Sequence, residues 1–233
     1  MQFDKTIREN QHGKYIEIRV VNFDEGIEFA LQNKIPSIHL GNTYTYDIIN
    51  NGVDKNLPVD FKKLELLSPY LRIIFIQDTL ANVINPESIY SLKNLERIHT
   101  EKQKFALDLS KFDRLSHFGG AYWKKLSFEK AYSLKSMVLR RFPEVNLVNL
   151  SELKHLEILH VYHSKMQSLE GIQNLPLRYL HLTSNNLLND IEALRELKEL
   201  ELLCVDKCKM IMEYELLQEM KCKIDVRIIN IRD

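Results

Sequence analysis

The chain has 233 residues, enough to bury a substantial core, with 45% apolar and 27% charged side chains, which are ordinary values for a folded soluble protein. Lysine plus arginine equals aspartate plus glutamate, 32 of each, so no global charge advertises nucleic acid or an anionic membrane as partner. Met1-Gln2-Phe3-Asp4-Lys5 lacks the apolar run of a secretion signal, and no stretch is long and apolar enough to span a bilayer. Cys204, Cys208 and Cys222 are an odd number crowded at one end, which fits reduced thiols in a cytoplasmic protein better than a disulfide framework.

In chain order, residues 1–34 read as an N-terminal cap and first coil, with Gln11-His12-Gly13-Lys14 as a turn that folds Phe3 to Ile7 back on a first strand. That strand is expected in Tyr15-x-x-Ile18-x-Val20. The same spacing returns in Ile35-x-x-Ile38-x-Leu40 and then, 36 residues on, in Leu71-x-x-Ile74-x-Ile76. The long gap marks 41–70 as an insertion or a degenerate coil. Pro86-Glu87-Ser88 reads as a helix start ahead of Leu95-x-x-Ile98-x-Thr100. Phe112-x-x-Leu115-x-His117 holds the pattern loosely, and Leu134-x-x-Met137-x-Leu139 holds it well. A helix start at Ser151-Glu152-Leu153 precedes Leu156-x-x-Leu159-x-Val161-x-x-Ser164-x-Met166. After 21 residues comes Leu177-x-x-Leu180-x-Leu182-x-x-Asn185-x-Leu187. Asp190 to Arg195 starts another helix, and Leu200-x-x-Leu203-x-Val205-x-x-Cys208-x-Met210 follows 23 residues after Leu177. Residues 211–233 read as a C-terminal cap, with a helix from Glu213 to Lys221 and a last strand at Ile224-x-Val226-x-Ile228.

The spacing carries its own physical meaning. Two apolar residues two apart on a short strand point to one side, and the residues flanking them point to the other. The Asn, Ser or Cys that follows turns inward at the bend and can satisfy backbone groups that no strand pairs. One such repeat cannot bury its inner face; stacked copies bury a shared core.

These segments, most specifically those over 134–210, resemble the leucine-rich-repeat family. The resemblance implies an α/β fold: a leucine-rich-repeat solenoid, or curved horseshoe, of one domain. It carries a concave parallel sheet of about nine to ten strands and a helical or irregular convex side. It also implies protein recognition as the activity. In size, irregular repeats and absence of a secretion signal, the chain is similar to small cytoplasmic bacterial members of the family, including antitoxin-like immunity proteins that bind and neutralise a delivered toxin, some of them nucleases.

If the register holds, the residues between the two inward positions are Arg19, His39, Phe75, His99, Ser116, Val138, His160, His181 and Cys204. The flanking outward positions include Arg97, Arg114, Phe118, Arg140, Tyr162 and Tyr179. A one-residue register error would turn such residues inward. Arginine and aromatics are the residue types enriched where proteins bind proteins. The expected partner-binding set is therefore Phe75, Arg97, His99, Arg114, Phe118, Arg140, His160, Tyr162, Tyr179 and His181. A patch whose members pack on one another is the plainer alternative. The histidine column admits a pH-sensitive interface, a metal pair at His160 and His181, or ordinary interface residues. No third ligand is evident, so neither metal nor cofactor is expected.

No catalytic residues are expected. His155, His160 and His163 do not share a face of a strand, and Gly119-Gly120 lacks the context of a phosphate loop. Cys204 lacks an activating constellation, and Trp123 reads as packing at a coil corner. The expected partner is a protein, a toxin domain by resemblance, met by a monomer or in a heterodimer. Nucleic acid, touched through Arg97, Arg114 and Arg140 with Tyr162 or Tyr179 stacking on bases, is the alternative, a general scaffold or effector the third.

Overall fold

The computed structural model describes residues 3–229. Short strands pair side by side in a main sheet, and every described pairing is parallel except that of Arg8–Asn10 with Gly13–Arg19, the N-terminal hairpin closed by Gln11-His12. The chain divides into two compact units, Met1–Leu115 and Ser116–Asp233.

In the first unit the hairpin is followed by strands Ser37–Gly41, Ile73–Ile76 and Arg97–Thr100. Ile16 and Ile18 align with Ile38 and Leu40, which align with Ile74 and Ile76, and all six are buried. The first coil therefore lies two residues earlier than its repeat spacing indicates, and Val20 opens a 3-10 turn instead of ending the strand. A two-residue slip keeps every side chain on its own face. It nevertheless brings Tyr15 onto the outer face beside Glu17 and Arg19. Helix α1 (Phe23–Gln32) buries Phe23, Gly26, Ile27 and Ala30, the three- and four-residue spacing of one helical face. Gly26 is needed there, because a Cβ would stand 2.7 Å from Ile18 Cγ2.

The 36-residue gap adds no strand to the main sheet, since Ser37–Gly41 pairs directly with Ile73–Ile76. Its extra length forms helix α2 (Thr45–Asn50), a short strand Pro58–Asp60 paired with Asn82–Ile84, and a 3-10 helix Phe61–Leu67 that buries Phe61, Leu64 and Leu67.

In the second unit the strands run His117–Ala121, Ser136–Arg140, Ile158–Tyr162, Tyr179–Thr183, Leu202–Asp206 and Asp225–Ile229, each paired with the next in register. The inward pairs Met137/Leu139, Leu159/Val161, Leu180/Leu182 and Leu203/Val205 are fully buried. The residue after each of four strands, Arg141, His163, Ser184 and Lys207, has a left-handed backbone with φ of 58°, 51°, 54° and 54°. Each of their N–H groups donates to a carbonyl of the next coil, over 2.8 to 3.0 Å. That linkage carries the ladder one residue past the strand and holds four non-glycine residues in a conformation they rarely adopt.

At or beside the three expected helix starts the return segments are 3-10 helices, Pro86–Ser91, Val148–Leu150 and Glu192–Glu196. The reason is width. Strands are spaced about 4.8 Å apart, whereas an α-helix with its side chains is about 10 Å across, so a narrower return fits the stack better. Helix α3 (Tyr214–Lys221) then leads into the strand Asp225–Ile229; residues 1–2 and 230–233 of the two expected caps lie outside the described residues.

One inward side chain departs from the sequence reading. Phe118 aligns with Met137 and Gly120 with Leu139, so the coil runs Leu115-x-x-Phe118-x-Gly120, three residues later than Phe112-x-x-Leu115-x-His117. Three is odd, and an odd slip exchanges the faces. Phe118 is 1% exposed and belongs to the core.

Candidate protein-binding face

In several coils a buried polar residue after the strand ties the coil to its neighbour. Asn185, fully buried, accepts from the N–H and hydroxyl of Ser164 at 3.0 and 2.7 Å and donates to the Val161 carbonyl at 2.9 Å. Cys208 takes the same place one coil on, its thiol 3.6 Å from the Leu182 carbonyl. In the first unit Gln103 does this work: it accepts from Leu80 N–H and donates to the Asp78 carbonyl at 2.7 Å. The sequence pattern did not single it out, because Gln is not the repeat's usual residue.

On the outer face of the first unit four rings stand in one cross-strand ladder. Tyr15 stacks on His39 at 4.1 Å, His39 meets Phe75 at 4.4 Å, and Phe75 lies nearly parallel to His99 at 4.4 Å and 4°. Phe75 points outward, half-buried, and spends much of its surface on its neighbours. Arg97 stands beside His99 on the same strand, with burial holding its guanidinium below the ordinary value. Arg114 is not on a strand. It lies exposed in the turn before His117–Ala121 and donates to Asn94 Oδ1 at 3.0 Å. The three-residue slip that buries Phe118 also removes Arg114 from the face.

Two features of this unit escaped sequence reading. Tyr15 completes the ladder once the first coil is aligned by its isoleucines. Arg19 lays its guanidinium over the Tyr44 ring at 4.1 Å and donates to the Tyr44 hydroxyl at 2.9 Å. Tyr44, Tyr46 and Ile49, on and before α2, are exposed; the long gap between repeats was the signal for them.

On the outer face of the second unit, His160 and His181 are aligned on adjacent strands with rings 4.5 Å apart. Tyr162 shares a 3.1 Å hydrogen bond with His160 Nδ1. Burial lowers the pKa of His160 to about 4, with the neighbouring His181 adding to the effect, and burial lowers His181 as well. Both rings are therefore neutral at pH 7. Tyr179 pairs with Ile158 and Leu202 to form an apolar row beside them, Arg178 reaching 5.8 Å from its ring. Arg140 ends its strand on the same face. Cys204 is 8% exposed, and burial together with Asp206 raises its thiol pKa, the reverse of what a nucleophile needs.

The structure thus brings together Phe75, Arg97 and His99 in one unit, and Arg140, His160, Tyr162, Tyr179 and His181 in the other. Among the described residues no group of three or more His, Cys, Asp or Glu side chains could hold a metal ion. No described helix is long and apolar enough to cross a membrane.

No family model and no curated protein matches the sequence. Among solved structures, an internalin from Listeria monocytogenes aligns with a TM-score of 0.53 and 15% identity over 88% of this chain and 66% of that one. A leucine-rich-repeat protein from Leptospira interrogans aligns with a TM-score of 0.53 and 18% identity, over 85% of this chain and 50% of that one. The chain therefore spans 66% and 50% of the length of these two proteins. At such identities the likeness concerns the fold, and the fold is the leucine-rich-repeat solenoid.

Proposed function

We propose that this chain is a non-catalytic protein-binding module that grips its partner with the outer face of the sheet, and that the partner is a toxin domain which it neutralises. The observation that supports it most is the face of the second unit. Ile158, His160, Tyr162, Tyr179 and His181 form a half-buried surface of aromatic, aliphatic and neutral imidazole groups. Such a surface costs little to dehydrate, and its Tyr side chains are of a type enriched at binding hot spots. The toxin as partner rests on the resemblance to immunity proteins, and it is the finer part of the proposal. The free thiols Cys204, Cys208 and Cys222 support a cytoplasmic setting, where a monomer would form a one-to-one complex.

The test is purification of the tagged chain from its host with mass spectrometry, followed by reconstitution with the recovered protein. A stoichiometric partner is expected, together with loss of binding in Tyr162→Ala and Tyr179→Ala. Co-expression should protect cells from a toxic partner. Recovery of no stoichiometric protein, or binding indifferent to both substitutions, would overturn the reading. The nucleic-acid alternative is weakened because Arg114, one of its three arginines, is engaged with Asn94 off the strand.

A further inference from the structure

The last strand of the second unit, Asp225–Ile229, has an open edge. It pairs with Leu202–Asp206 on one side, and among the described residues no strand pairs with it on the other. Asp225 N–H donates to the Glu201 carbonyl and the Ile229 carbonyl accepts from Lys207 N–H, both at 3.0 Å. The odd-numbered residues thus turn their backbone groups to the neighbouring strand. Those groups alternate sides along a strand, so the N–H and carbonyl of Val226 and Ile228 point to the open edge.

Sheet edges are ordinarily blunted by being short, charged or covered. Arg8–Asn10 follows that rule, with three polar residues. Asp225–Ile229 does not. Its inward side chains, Val226 and Ile228, are half-buried, whereas Leu203 and Val205, aligned with them on the neighbouring strand, are 0% exposed. On the outer side Asp225 and Arg227 are exposed and meet each other at 2.8 Å, a surface contact worth little by itself. An occupant of this edge must bring free backbone groups, cover two apolar side chains and match a negative charge followed two residues later by a positive one.

We propose that the occupant is a second copy of this chain, whose Asp225–Ile229 runs antiparallel to the first. Two copies joined by the same edge are related by a twofold axis, which sets the strands antiparallel. The open backbone groups meet only where even-numbered residues stand opposite even-numbered ones. A register centred on Asp225 would oppose two carboxylates, and one centred on Arg227 two guanidiniums; like charges directly opposite are destabilising. Centring on Ile228 would set Arg227 across from Ile229. Centring on Val226 gives both charges an opposite partner: each Asp225 faces Arg227 of the other copy, in the closely spaced pairs of the ladder, and Ile224 faces Ile228. The strand is therefore complementary to itself in charge and in apolar pattern at once. One strand pair is a small interface, of the weak and concentration-dependent class. At low concentration the chain is the monomer of the proposed function, and the pairing does not depend on that reading.

The test is sedimentation velocity on the full chain from about 10 µM to about 1 mM, the range in which a small interface associates. A monomer–dimer equilibrium is expected. Asp225→Arg alone and Arg227→Asp alone each turn both cross-copy pairs into like charges, so each should raise the dissociation constant about tenfold or more. Mixed in equal amounts, the two variants restore opposite charges in both pairs and should associate about as tightly as the parent. Both positions are exposed, and an unchanged urea midpoint will show that each variant is folded. The proposal is overturned if the parent stays monomeric at about 1 mM, if neither single variant weakens the dimer, or if the mixture associates no better than the variants alone.

Discussion

His160 and His181 stand side by side on adjacent strands, 4.5 Å apart and tilted by 38°, with burial depressing the pKa of both. The folded state of His160 takes up its proton near pH 4, the unfolded state near 6.5. Between those values the unfolded chain binds more protons, so stability rises with pH across the window and falls as pH drops from about 6.5 to about 4. Urea midpoints measured from pH 7.5 down to pH 4.5 should decline, and His160→Leu should decline less. Identical slopes for parent and variant would remove His160 as the cause.

Asn185 bridges two coils with three hydrogen bonds from a fully buried side chain, to Ser164 N–H, Ser164 hydroxyl and Val161 carbonyl. Asn185→Ala leaves those groups unsatisfied in the core, at a cost of about 2–4 kcal/mol. Asn186→Ala, next to it and exposed, should stay within about 0.5 kcal/mol of the parent. Chemical denaturation of the two variants separates the repeat's structural asparagine from its neighbour.

What was legible in the sequence follows the strength of the apolar pattern. From Leu134 to Met210 every coil carries large aliphatic residues at both inward positions, and there the strands and their faces match the sequence reading. The Phe118 coil has glycine at its second inward position, Gly120, so nothing apolar marks it and Leu115 competes for the first. Aligning it on Leu115 as the leading residue gives spacings of 20 residues from Leu95 and 19 to Leu134. The ladder from Tyr15 to His99 is half legible in the sequence: His39, Phe75 and His99 fall in one column, whereas Tyr15 stands outside it as the leading residue of its repeat.

The fate of Phe118 separates the two alignments by experiment. As a core side chain, Phe118→Ala should cost about 3–5 kcal/mol. Phe75→Ala removes a half-buried ring from between His39 and His99, which is worth about 0.5–1.5 kcal/mol for each stacked pair beyond the area it buries. It should therefore destabilise distinctly less. Urea unfolding gives both numbers, and a Phe118→Ala variant as stable as the parent would restore the outward placement.

Gly171 sits where one coil crosses close behind another. Its φ is +109°, and a Cβ built there would fall on the Leu147 carbonyl carbon and the Val148 nitrogen, both backbone atoms that cannot swing aside. The contact is fixed further by Leu147 N–H, which donates to the Glu170 carbonyl at 2.7 Å. Gly52 also has positive φ, +65°, but its Cβ would meet nothing within 4 Å. Both glycines use their backbone freedom, and Gly171 alone of the two needs the space as well. Gly52→Ala should cost about 1–2 kcal/mol from the left-handed conformation itself. Gly171→Ala adds the displacement of one coil from the next, so its loss should exceed that of Gly52→Ala by at least about 1–2 kcal/mol. Thermal unfolding of the two variants side by side measures the difference, and equal midpoints would show that the coils can part at Gly171 without cost.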